Sequence, residues 1–217
     1  MPPPIDDLLA AAVAALSARG AEVRCFAGAD NCVRRREPGE PCTFAGLSRS
    51  PAGESDAARL PFVIEVEGLP NLLHELAHVV LLGRVEKDHA TEYSKIPFDL
   101  ATPHGQRLLF EELACCAASS AWHPGDDAAA QAWFEEQVGI QGHFFGFEGD
   151  LVRFLAAADA DIRAHRAELD AALARAVAGS ERALAAAGAP PPIARPRRAF
   201  AFESAWQHLR APYTPRR

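Results

Sequence analysis

Apolar residues recur at helical spacing over most of the chain. In the first such segment, IDDLLAAAVAALSAR, acidic residues fall in the first turn and Gly20 follows the end, as is typical of helix termini. The strongly apolar segment LLHELAHVVLLGR follows Pro70 and Asn71, which mark a helix start. Together the patterns predict helices over residues 5–19, 72–84, 105–121, about 124–138, 151–178 and 181–187, the last two separated by Gly179-Ser180.

Two short segments predict β-strands. They are AEVRCF (21–26) and LPFVIEVEG (60–68), of which the second alternates and is rich in β-branched residues. Between them, residues 27–58 are rich in Gly, Pro, Ser and charge and predict a long irregular loop. We therefore expect an α+β protein: a mostly helical domain with a small β-sheet packed on the helix that contains HELAH.

We expect residues 1–188 to form a single domain, and residues 189–217 to form a linker and C-terminal tail rich in proline and arginine. Pro190-Pro191-Pro192 ends the preceding helix. Residues 201–212, AFESAWQHLRAP, predict a last helix that docks through Phe202 and Trp206. The arginines of the tail suit either a solvated arm or a contact with an acidic partner.

Composition narrows the class of protein. With 217 residues, of which 49% are hydrophobic, the chain can bury a core. No stretch approaches the roughly 18–20 apolar residues that cross a bilayer. The N-terminal residues lack the basic and apolar regions of a signal peptide, so we expect a soluble, cytoplasmic protein with no membrane partner. The net charge of −7 argues against a nucleic-acid partner.

The sequence His74-Glu75-Leu76-Ala77-His78 has the spacing of a metal site on a helix. Residues four apart lie on one face, so both imidazoles can bind the same ion. Glu75 reaches the space beside that ion, where a carboxylate can take a proton from bound water. The flanking residues are apolar nearly all round, so the helix is buried and its histidines need partners. A metal ion supplies one; two core histidines satisfied by hydrogen bonds are the alternative.

A catalytic metal site with an open position needs a third protein ligand. We expect it in the segment FEELA, which opens a second apolar helix. Glu111 shares its helix face with three small residues that allow close helix packing: Ala114, Cys115 and Ala118. Glu111 is therefore the predicted ligand, and Glu112 a supporting or solvent-facing residue. His89, in the polar loop after the motif, is an alternative ligand.

Two further residues could contact a substrate. Tyr93 lies in the loop after the HELAH helix and could hydrogen-bond to a reacting oxygen. His143 lies in the aromatic segment GIQGHFFGF and could line a pocket.

HELAH followed by a downstream glutamate resembles the gluzincin metallopeptidases. This resemblance covers about 50 residues. It implies a zinc ion on His74, His78 and Glu111, with Glu75 as the general base for peptide hydrolysis. The position four residues after the ligand glutamate, where that family has Asp or Asn, is Cys115.

A longer stretch, of some 120 residues, is similar to the bacterial elongation factor P hydroxylase family. The shared features are RLPFVIEVEG leading into LLHELAH, then Gly83-Arg84, Phe110-Glu111-Glu112, Trp122 and a later GSERA. This resemblance implies a fold like that of the zincins and hydroxylases. It also implies a metal site of two histidines and one carboxylate on His74, His78 and Glu111, which hydroxylates a modified lysine of a protein.

Both resemblances imply the same ligands, which bind zinc for hydrolysis or ferrous iron for oxygen chemistry. The leading hypothesis is a metal-dependent enzyme of the hydroxylase type that acts on a side chain of a protein or peptide. A zinc metallopeptidase with Glu75 as base is the second hypothesis. The third is a peptide-binding protein that keeps the fold and performs no chemistry.

Overall fold

The computed structural model describes residues 5–40, 60–85 and 97–213. The first elements along the chain are helix α1 (Ile5–Ser17) and strands β1 (Ala21–Cys25), β2 (Cys32–Arg35) and β3 (Phe62–Val66). The remaining elements are helices α2 (Leu69–Leu82), α3 (Pro103–Trp122), α4 (Asp127–Phe144), α5 (Leu151–Ala164), α6 (Arg166–Ala186), α7 (Pro191–Ala194) and α8 (Phe202–Arg210), with a 3₁₀ turn at Ala211–Tyr213. The expected α+β class, mostly helical with a small sheet, is confirmed.

The strands form a sheet in the order β1-β3-β2. β1 runs parallel to β3, and β2 runs antiparallel to it, so that Val23 and Val33 flank Ile64 on its two sides. β3 is thus the central strand, and it leads directly into α2.

Strand β2 lies inside the segment 27–58 for which the sequence predicts an irregular loop, so that prediction is wrong at Cys32–Arg35. Two arginines that make this segment look like a loop have acidic partners, one of them across the sheet. Arg34 binds Glu40 and Glu65 at 2.7 and 2.9 Å, and Arg36 binds the buried Glu22. Opposite charges on neighbouring strands support pairing that an isolated segment does not show. Residues 41–58 of the predicted loop lie outside the described residues.

Helices α2, α3 and α6 pack together in the centre of the molecule. Where they meet, the buried side chains are small: Ala77, Ala114, Cys115, Ala118, Ala172 and Ala176. Small residues let helix backbones approach closely. α1 and the sheet cover one side of α2 with a separate apolar cluster that includes Leu16, Ile64 and Leu72.

The helix boundary predicted at Gly179-Ser180 is wrong. The chain breaks at His165, and α6 continues through Gly179 to Ala186. A Cβ atom at Gly179 would lie 2.9 Å from Cγ2 of Val80, so this glycine provides the space in which α2 packs against α6. α4 also extends beyond the predicted end, to Phe144.

The C-terminal segment packs on the rest of the protein from residue 191 to residue 210. Phe202 and Trp206 are buried, as expected for a docked last helix. The indole N–H of Trp206 donates to the buried Asp159 at 3.1 Å. Arg198 donates to the carbonyl oxygens of Ser120 and His123, which lie at the end of α3. Within the described ranges, we find no helix with the length and apolar character to cross a bilayer.

Candidate metal centre

Helix α2 places the HELAH histidines in the interior. It begins after Gly68, with Pro70 in the first turn, where a missing N–H costs no helical hydrogen bond. It ends at Gly83, whose φ of 77° is left-handed and favours glycine. Leu72, Leu73, Leu76 and Val79 are buried, so the helix packs on most of its surface. His74 is 8% exposed as a result.

Three ligand atoms form a small triangle between α2 and α3. Nε2 of His74 and Nε2 of His78 are 3.1 Å apart, and each lies 3.4 Å from Oε2 of Glu112. Tetrahedral ligands about 2.1 Å from a zinc ion are about 3.4 Å from one another. The edges of the triangle therefore have the spacing that a bound ion requires. The buried group of His74, His78 and Glu112 can hold a metal ion, as the sequence predicts for the two histidines.

The two glutamates exchange the roles that we expected. Glu112, not Glu111, completes the triangle, and Oε1 of Glu111 lies 2.8 Å from Nδ1 of His78. In this arrangement Nδ1–H donates to Glu111 and leaves the Nε2 lone pair for an ion, as is common in histidine metal sites. The helix-face argument could not separate them, because Cys115 follows Glu112 by three residues and Glu111 by four. Both carboxylates therefore flank the small-residue face that packs on α2.

Charge favours the ionised form of Glu112. Burial acts to raise the pKa of this carboxyl, but the charge of His78 and hydrogen bonds from both histidines outweigh it and hold the pKa well below its ordinary value. For His78, burial acts to lower the pKa, and the neighbouring carboxylates of Glu112 and Glu111 raise it well above its ordinary value. The ionised Glu112 therefore favours a cation between the two histidines, either the proton on His78 or a metal ion that displaces this proton.

A buried thiol adjoins the centre. Cys115 hydrogen-bonds with His78, and burial raises the pKa of the Cys115 thiol to about 12, so it remains a neutral S–H. From the sequence, Cys115 was expected only to allow close helix packing; its contact with His78 depends on how α3 is rotated against α2.

The metal centre opens into a cavity of about 690 Å³, within the range of small-molecule sites. His78, Glu111 and Glu112 line it together with Glu75, which lies one residue after His74 on the same helix. Glu75 therefore shares a cavity with His78 and Glu112. Two exposed arginines that the sequence analysis did not single out, Arg107 and Arg175, also line this cavity.

Of the other candidate residues, His143 lies within the described part of the chain. His143 is exposed near the end of α4 and does not line the cavity, so the prediction that it lines the pocket is wrong for this site. His89 and Tyr93 lie outside the described residues. Nothing in the sequence marked Arg107 and Arg175, because surface arginines are common and only the packing of α3 on α6 brings these two to one cavity.

Comparisons of the chain with protein-family models, with curated proteins and with solved structures find no match.

Proposed function

We propose that this protein is a metal-dependent enzyme of the hydroxylase type that acts on a side chain of a protein or peptide. The observation that supports it is the triangle of His74, His78 and Glu112 at the wall of an open cavity. Two imidazoles and one carboxylate with open positions are typical of non-haem ferrous oxygenases. The resemblance of the sequence to the elongation factor P hydroxylases, with the fold that it implies, agrees with this proposal.

The residues of the chain have separate roles in this proposal. His74, His78 and Glu112 would hold the ion, and Glu111 orients His78 through Nδ1. The bound ion would supply the activation of dioxygen. Overall, a substrate C–H bond becomes C–OH; one oxygen atom of dioxygen enters the product, and the other leaves as water with two protons and two electrons from a reductant. The cavity would hold the substrate side chain beside the ion.

The metal that the protein carries is the first test. We would purify the protein anaerobically without added metal and measure iron and zinc by elemental analysis. Iron in stoichiometric amount, lost in His74→Ala and kept in Glu136→Gln, supports the proposal; Glu136 is an exposed glutamate of α4. Stoichiometric zinc would contradict it.

The reaction itself is the second test. Peptides from a digested cell extract are incubated with the iron-loaded protein, ascorbate and air, and mass spectrometry reports any gain of one oxygen atom. The gain should disappear without oxygen and in the His74→Ala variant. Turnover that does not depend on oxygen would exclude hydroxylation.

A zinc-dependent peptidase is the second candidate, and one observation favours it: Glu75 lies on the wall of the same cavity. A carboxylate there can take the proton of a metal-bound water as that water attacks a peptide carbonyl. Glu75→Gln should then abolish cleavage while zinc remains bound. Unchanged cleavage in this variant would refute the role of Glu75. Tight peptide binding that persists in His74→Ala, with no product under either metal, would instead indicate a binding protein without catalysis.

A further inference from the structure

Two arginines from different helices line the cavity of the metal centre. Arg107 belongs to α3 and Arg175 to α6, and both side chains are exposed. Among residues 5–40, 60–85 and 97–213, we find no hydrogen bond or ion pair for either guanidinium group. By contrast, Arg166, near the start of α6, is paired with Asp170 and Glu203.

The acidic groups on the same wall are already engaged. Glu111 and Glu112 contact the histidines of the metal centre, and Glu168 pairs with His165 at 3.3 Å. The protein as a whole carries a net charge of −7 and repels anions at long range. Glu75, on the same wall, also has a partner, so within the described residues Arg107 and Arg175 are the charged side chains of this cavity that have none.

We propose that Arg107 and Arg175 bind a carboxylate group of the peptide substrate beside the metal centre. Guanidinium groups bind carboxylates through two parallel hydrogen bonds, which fix orientation as well as charge. Apolar side chains on the cavity wall, among them Val79, Leu82 and Leu108, would contact the aliphatic part of the same substrate. This inference rests on the proposed function, because only an enzyme has a substrate. The binding of a carboxylate can nevertheless be measured without turnover.

Three matched probes test the preference for a carboxylate. N-acetylglutamate α-amide has only a side-chain carboxylate, N-acetylglutamine has only a terminal carboxylate, and N-acetylglutamine amide has neither. Each is titrated into zinc-loaded and metal-free protein and followed by NMR chemical shifts. We expect at least one carboxylate probe to bind about tenfold more tightly than the neutral probe, with and without metal. The probe that binds more tightly assigns an acidic side chain or a peptide C-terminus.

Substitutions connect the preference to the two arginines. Arg107→Gln and Arg175→Gln should each weaken the carboxylate probe about three- to tenfold, and the double variant should bind it no better than the neutral probe. Both positions are exposed, so the fold should not change, and thermal unfolding checks this. The control is Arg182→Gln, an exposed arginine of α6 that does not line the cavity. It should bind all three probes as the unchanged protein does.

Three results would overturn the inference. The first is equal binding of the carboxylate and neutral probes. The second is a carboxylate preference that survives in the double variant, or that requires the metal, because the metal would then be the receptor. The third is inorganic phosphate binding more tightly than either carboxylate. None of these depends on catalysis, so a protein that binds carboxylates through the arginines but shows no turnover would refute the proposed function alone.

Discussion

Gly179→Ala should destabilise the protein, although alanine is the better helix former. Gly179 lies inside α6 with no left-handed φ, so propensity alone favours alanine by about 0.5–1 kcal/mol. A Cβ atom there would lie 2.9 Å from Cγ2 and 3.0 Å from Cβ of Val80 in α2. The Cβ of a β-branched residue cannot rotate away, so α2 and α6 must separate. Overpacking of this kind costs about 1–3 kcal/mol, which leaves a net loss of about 0–2.5 kcal/mol, with a midpoint of about 1 kcal/mol.

Gly139→Ala is the matched control. Gly139 lies inside α4, and no atom lies within 4 Å of a Cβ built there, so only the propensity term applies. This variant should gain about 0.5–1 kcal/mol. Urea denaturation of both variants measures the difference in the free energy of unfolding. If Gly179→Ala is as stable as Gly139→Ala or more stable, the close packing of α2 on α6 does not limit the size of the residue at position 179.

Gly179→Ala should also weaken metal binding. Val80 lies two residues after His78, and a shift of α2 moves both histidines relative to Glu112 on α3. Zinc affinity, measured by competition with a chelator, should therefore fall in Gly179→Ala and remain unchanged in Gly139→Ala. Equal affinity in both variants would show that the triangle tolerates movement of α2.

Three further predictions follow from individual contacts. Glu112→Gln should weaken zinc binding by more than 100-fold because it removes an anionic ligand. Glu111→Gln should weaken zinc binding about 10–100-fold, because Glu111 acts only as the hydrogen-bond partner of His78. Competition with a chelator measures both affinities, and the opposite order would make Glu111 the ligand. Arg198→Ala should cost about 1–2 kcal/mol in urea denaturation because it removes the hydrogen bonds that the guanidinium group donates to the carbonyls of Ser120 and His123. The exposed Arg195→Ala should cost almost nothing, and equal losses would contradict this. Arg34 lowers the pKa of Glu40 through a hydrogen bond. The difference in free energy of unfolding between the unchanged protein and Glu40→Gln should therefore have its full value above the ordinary carboxyl pKa of about 4.3, and it should shrink as the pH falls below that value. A difference that does not depend on pH would exclude this pairing.

Local sequence determined helices α1, α2 and α3 together with their ends. α1, α2 and α3 agree with the predicted segments within a few residues, because each combines apolar periodicity with a recognisable terminus such as Pro70 or Gly83. β1 and β3 were also predicted, since each is a short apolar segment between polar turns. The HELAH spacing likewise placed two imidazoles on one face of a helix, which is a property of the helix alone.

Contacts between distant segments decided the rest. Strand β2 is supported by ion pairs from Arg34 and Arg36 to other strands. α6 continues through Gly179, where Val80 of α2 occupies the space that a side chain at position 179 would need. The sequence could not decide which of two adjacent glutamates is the third residue of the metal triangle. Adjacent residues of a helix point about 100° apart, and the sequence does not show how α3 is rotated against α2. That rotation places Glu112 beside both histidines and Glu111 behind one of them.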